Sequence, residues 1–217
     1  MDGRLNLKEL ERKAYRFTFQ DGLLDVYMGL FVIGMAFFIF RPEDGYGAQN
    51  FVLLLLDLLL SSLVFWVGKV FVTLPRMGQV SFGPLRKKRN ITLAIVMGVV
   101  VLAQAGFVLI TMSGWLNAHF GAKLSSLLGG ASLERMPVAA IASLFVGPSM
   151  ILIAFFIDFT RGYFIAILMA LAVFLMVLFN QPIYPILIGA LILVPGVVLF
   201  VRFLRKYPLH RVEAQHE

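Results

Sequence analysis

The sequence predicts an all-α protein: a polytopic bundle of six transmembrane helices, preceded by an amphipathic helix at the membrane interface. Three observations predict it. The 217 residues are 60% hydrophobic with a mean hydropathy of +0.89. Only 14% are charged, where soluble domains carry about 25%. The apolar residues are gathered into six long runs, four of which contain no charged residue. A soluble fold of this size has too much wetted surface to hide so many apolar side chains.

The hydrocarbon layer needs about 20 apolar residues of helix. The runs that meet this length lie at 22–40, 51–74, 91–112, 137–157, 162–179 and 182–201. Backbone polar groups in lipid must be paired internally, which leaves helices or closed barrels. Barrel strands alternate polar and apolar residues, and these runs do not. The whole chain, 1–217, therefore reads as one integral membrane domain with no room for a separate soluble one.

Charge sets the orientation. With the N-terminus inside, fifteen Lys and Arg fall on inner segments and three (Arg41, Lys123, Arg135) on outer ones. Lys69 lies in the second run near its inner end. The positive-inside rule then puts both termini in the cytoplasm, in a plasma or inner membrane. The same distribution accounts for the net charge of +7 without nucleic acid. The block Arg86-Lys87-Lys88-Arg89 reads as a topology signal in contact with anionic lipid headgroups.

Residues 6–19 carry Leu7, Leu10, Ala14 and Phe17 at helical spacing, with Lys8, Arg12 and Arg16 around the other side. They read as an interfacial helix on the inner leaflet, or as a docking helix for a partner. The arm lacks the apolar core and cleavage site of a signal peptide, so the first span is expected to act as an uncleaved insertion signal. Residues 113–136 repeat an apolar stripe through Leu116, Phe120 and Leu124, with Trp115 as an interface anchor. They read as a short helix on the outer face, with a re-entrant helix as the other reading.

Gly147-Pro148 and Pro195-Gly196 interrupt the fourth and sixth runs near their middles. Proline removes an i→i−4 bond and kinks the helix. Such breaks point either to a transport site at the midplane or to plain packing. Small-xxx-small ladders at Ala139/Ser143/Gly147, Ala94/Gly98 and Ala166/Ala170 are expected helix seams or a homo-oligomer contact.

Ionisable groups inside spans are functional candidates by default. Asp57 lies in the second run with Ser61 one turn on; Gln104 is central in the third. With Pro148 and Pro195 they form one candidate set, a substrate or ion pathway. Asp57 reaching the outer headgroups or Arg41, and Gln104 bonding a neighbouring helix, are the structural alternatives. Asp21, Asp25, Asp158 and Arg161 form a second set, an inner-face ion network with Lys69 or Arg76. No catalytic residue, metal site or cofactor is expected. The three histidines, His119, His210 and His216, have no ligand partner at metal spacing within a run. There are no cysteines, and no phosphate-binding or nucleophile-elbow motif is present.

The functional expectation is a small transporter or channel-like protein. A non-transporting scaffold or subunit that recruits a partner, and a lipid-modifying enzyme, are the alternatives.

Overall fold

A computed structural model of the chain describes residues 18–39, 48–77, 84–112 and 136–208. The described residues are helical throughout, with short turns and no strand. The elements are α1 (Leu23–Gly34), α2 (Ala36–Ile39), α3 (Ala48–Val67), a π-helical turn (Gly68–Thr73), α4 (Leu74–Met77), α5 (Pro84–Met112), α6 (Met136–Ile157), α7 (Thr160–Phe179) and α8 (Ile183–Lys206). The protein is thus an all-α bundle. Most of the expected interfacial helix 6–19 and nearly all of the 113–136 segment lie outside the described residues, as does Arg41.

Four stretches are long and apolar enough to cross a bilayer: Val52–Met77, Ala139–Ile157, Thr160–Phe179 and Ile183–Lys206. Two shorter apolar stretches, Leu23–Gly34 and Ile91–Gln104, lie within the predicted first and third spans. Two helices outrun their apolar runs. α5 starts at Pro84, seven residues before the apolar run, because proline suits the first helical position and Lys and Arg are good helix formers. α8 continues to Lys206, where Arg205 and Lys206 complement the negative end of the helix dipole.

The helices pack in the order α3, α1, α8, α7, α6, α5. Two seams dominate, α1 against α8 and α6 against α7. The core lies between them and includes Leu24, Val32, Ile165, Met169, Ala172 and Ile192.

The α1–α8 seam is built on glycine. The two helices run antiparallel: Gly22 lies against Gly196 and Leu199, Gly29 against Leu193, and Gly189 against Gly29 and Ile33. A Cβ on Gly29 would lie 2.8 Å from the Leu193 Cα, and one on Gly189 would lie 2.8 Å from the Gly29 carbonyl oxygen. Such backbone-to-backbone approach supplies dispersion contact where lipid supplies no hydrophobic drive. Gly22–Gly29 and Gly189–Gly196 are both seven residues apart, two helical turns, so each pair stays on one face. Gly22 has a second role: its φ of 79° turns the chain into α1, a conformation costly to other residues.

The α6–α7 seam uses the expected small residues. Ala139, Gly147 and Ala166 are buried, and a Cβ on Gly147 would lie 3.2 Å from the Ala170 Cβ. Gly98 differs from expectation, since nothing lies within 4 Å of a Cβ built on it. α5 turns its Gln104 face, not its Ala94–Gly98 face, to α6.

The α6–α7 turn is closed by a Schellman motif. Phe159 N–H donates to the Ala154 carbonyl at 2.9 Å and Asp158 N–H to the Phe155 carbonyl at 3.3 Å. Asp158 takes the left-handed position, φ 57°, that glycine usually fills. Asn180, φ 51°, does the same after α7, and Gln181-Pro182 leads into α8.

These contacts separate two kinds of glycine. Gly189→Ala is expected to cost about 1–3 kcal/mol through overpacking against α1. Gly98→Ala is expected to leave stability unchanged or raise it slightly, because alanine is the better helix former. Unfolding midpoints of the two variants in the same detergent check the contrast.

Candidate functional site

The end of the bundle where α1 begins, called basal below, holds three ion pairs among the described residues. They bring together all four residues of the second candidate set, and the partners come from different helices.

Asp21 is fully buried just before α1. Its Oδ1 accepts the Leu23 N–H at 3.2 Å, which satisfies one of the unpaired amides at the start of α1. Its Oδ2 accepts both the Lys69 ammonium at 2.7 Å and the Thr73 hydroxyl at 2.8 Å. Lys69 also donates to the Thr18 carbonyl, and its Nζ lies 5.5 Å from the Phe19 ring centre and 5.9 Å from that of Phe65. Desolvated cations gain from such ring faces.

Lys69 and Thr73 both sit on the π-helical turn. There the Leu74 N–H donates to the Lys69 carbonyl, five residues back. The cause is legible in the chain: Pro75 follows immediately, and its ring would clash with the Phe71 carbonyl in a regular α-turn. The widened turn relieves that clash and delivers both donors to one carboxylate oxygen.

Asp25, in the first turn of α1, pairs with Arg161 in the first turn of α7. A cation there opposes the helix dipole, so its placement needs a compensating partner. Arg161 finds two, the Asp25 carboxylate and the Phe19 carbonyl at 2.7 Å, and it lies over the Phe159 ring at 5.3 Å. Asp25 Oδ1 is buried without a hydrogen-bond partner.

Asp158 does not pair with its neighbour Arg161. It pairs with Arg89 of α5 at 2.7 Å, and the second arm of that guanidinium donates to the Phe155 carbonyl at 2.6 Å. Arg89 thereby caps the C-terminal end of α6 and fastens α5 to the α6–α7 turn. Beyond its place in the basic block, the Arg89 side chain is a clamp on the α6–α7 turn. Arg76, offered by the sequence as an alternative to Lys69, donates to the Val72 carbonyl of its own helix at 2.8 Å.

The first candidate set divides. Asp57 lies on the face of α3 turned to α1, where a Cβ on Gly34 would overlap its carboxylate. Its Oδ2 is buried with no hydrogen-bond partner. The Ser61 hydroxyl donates to the Asp57 backbone carbonyl at 2.5 Å, a local back-bond within the helix. Gln104 lies in a different seam. Its amide donates to the Ser149 hydroxyl at 2.9 Å and to the Phe145 carbonyl at 3.2 Å on α6, beside Pro148. Among the described residues α3 packs on α1 and α2, and α5 packs on α6, so these two seams share no helix. Pro195 belongs to a third helix, α8.

Both Gly-Pro interruptions follow one rule. Gly147 and Gly196 are buried in seams, whereas Pro148 and Pro195 are exposed on the outward faces. Each glycine permits close approach and each proline faces outward.

The glycine seam of α1 on α8 and the π-helical turn were not read from the sequence. The signals were the paired seven-residue glycine spacings and Pro75. Among the described residues no group of three His, Asp or Glu could hold a metal ion. Comparison with protein families, characterised proteins and solved structures finds no match to this chain.

The basal pairs differ in burial, and that difference predicts their cost. Lys69→Met strands a fully buried carboxylate and is expected to lose about 3–5 kcal/mol. The Arg89 side chain is 30% exposed, so water screens the pair and Arg89→Ala is expected to cost about 1–2 kcal/mol. Adding Asp21→Asn to Lys69→Met should recover most of the loss. Denaturation of the four proteins in micelles checks the ranking. Equal losses for the two single variants would show that burial does not set the cost.

Proposed function

We propose that this is a non-transporting scaffold or subunit of a plasma or inner membrane. In this reading it crosses the bilayer six times, its basal end is cytoplasmic, and its N-terminal segment and basic loop recruit a partner. The membrane embedding rests on the four long apolar helices. The six-fold crossing rests on the two shorter apolar stretches, which continue in helical backbone through α2 and through the rest of α5.

One observation carries the choice of scaffold. The polar groups within the apolar layer lie in separate seams, Asp57 and Ser61 between α3 and α1, Gln104 and Ser149 between α5 and α6. A pathway needs its polar residues to converge on one route. Gln104 is instead committed to a helix–helix hydrogen bond, the ordinary use of an amide in a membrane bundle. Both Gly-Pro breaks serve packing in the same way.

The transporter reading keeps one observation in its favour: Asp57 Oδ2 is buried and unpartnered, and a carboxylate left so is costly.

The chain has no cysteine, so single-cysteine probes report without background. Ser61→Cys and Gln104→Cys in native membranes should resist a membrane-impermeant thiol reagent added to either side. Labelling of both positions from one aqueous phase at a rate near that of Lys88→Cys would reject the scaffold in favour of a hydrated pathway. Lys88→Cys itself should label only from the cytoplasmic side, which checks the orientation.

A further inference from the structure

Two groups of cations stand out among the described residues. Lys69, Arg89 and Arg161 are each paired with a buried aspartate. Arg202, Arg205 and Lys206, on the last turn and a half of α8, are exposed and have no acidic partner among the described residues. The described aspartates near this end, Asp21, Asp25 and Asp158, already hold other cations.

The exposed cations end an apolar stripe. Leu187, Leu191, Val194, Val198 and Val201 are all exposed, and their spacing of four, three, four and three keeps them on one face of α8. Four residues further on, the same face carries Arg205, with Arg202 and Lys206 beside it. The opposite face, through Ile188, Gly189, Ile192, Gly196 and Phe203, is buried against the bundle. Phe203 anchors the last turn, so the basic residues are held on ordered helix. The stripe rises about 21 Å from Leu187 to Val201 at 1.5 Å per residue, close to the length of an extended acyl chain.

An apolar line of this length with a cationic group at one end has the shape and charge of an anionic phospholipid inverted. We infer that the outer face of α8 is a binding site for an anionic phospholipid of the leaflet at the basal end, its acyl chain on the Leu187–Val201 stripe and its phosphate on Arg202 and Arg205. Guanidinium groups match phosphate in a two-pronged fashion, and Lys206 adds a point charge. Juxtamembrane cations each gain about 1 kcal/mol near an anionic surface. The site rests on the reading of α8 as a membrane span. It moves the expected headgroup contact from the basic start of α5, where Arg89 is paired with Asp158, to the end of α8.

The test uses the full chain in a neutral detergent with added phosphatidylglycerol, phosphatidylcholine or inorganic phosphate. Phosphatidylglycerol should raise the thermal midpoint by about 4 °C or more over phosphatidylcholine, with no shift from inorganic phosphate. The double variant R202Q/R205Q should lose at least half of that shift, while K87Q/K88Q, which removes the same charge from the start of α5, should retain it. Equal shifts from both lipids, a shift from inorganic phosphate, an unchanged shift in R202Q/R205Q or an equal loss in K87Q/K88Q would each overturn the site. Carbonate extraction of native membranes tests the span separately: release of the chain defeats both readings, whereas retention without lipid preference defeats only this one.

Discussion

The pairing of Asp21 with Lys69 and Thr73 is the contact on which the basal architecture depends. An isolated charge in a water-poor layer costs several kcal/mol, so a buried carboxylate must draw its cation in from elsewhere in the chain. Asp21 draws in the end of the second long helix, Asp25 the start of α7, and Asp158 the start of α5. Phe19 joins two of these systems, with its carbonyl bonded to Arg161 and its ring beside Lys69. Elements far apart in sequence are therefore fixed at one end by electrostatics, and the apolar shafts of the helices are left to find their own packing.

Along those shafts the constraint changes from charge to shape. Lipid solvates a leucine as well as a neighbouring helix does, so association rests on close approach. Glycines at two-turn spacing bring α1 and α8 together at backbone distance, and Gly147 with Ala170 does so for α6 and α7. The prolines beside Gly147 and Gly196 face away from the seams. Their positions at mid-helix resemble those of broken helices in carriers, but neighbouring side chains decide what a break is for. Here the polar group beside Pro148 is Gln104, bonded across to Phe145 and Ser149.

The apolar runs, the absence of alternation and the Pro-Gly breaks were legible in composition and period. Lipid imposes a length and an internal hydrogen-bond rule that any adequate sequence must display. The basal residues were also legible as a group, because Asp21, Asp25, Asp158 and Arg161 recur at the same ends of successive runs. Their pairing was not. Asp158 and Arg161 are three residues apart, yet the left-handed turn at Asp158 sends one to α5 and the other to α1. The π-helical turn escaped for a related reason, since Pro75 signals a disturbance without stating whether the helix will kink or widen.

What the sequence by itself determined is the solvent and the secondary structure. Twenty-residue apolar stretches can only be helices in a bilayer, and the cations cluster where water begins. What only the tertiary structure decided is which polar groups meet. Asp57 and Gln104 are both polar residues within apolar runs, and nothing in one dimension says whether they meet. They part because α3 packs on α1 while α5 packs on α6, and that choice is made by glycine-sized gaps and three ion pairs between segments remote along the chain.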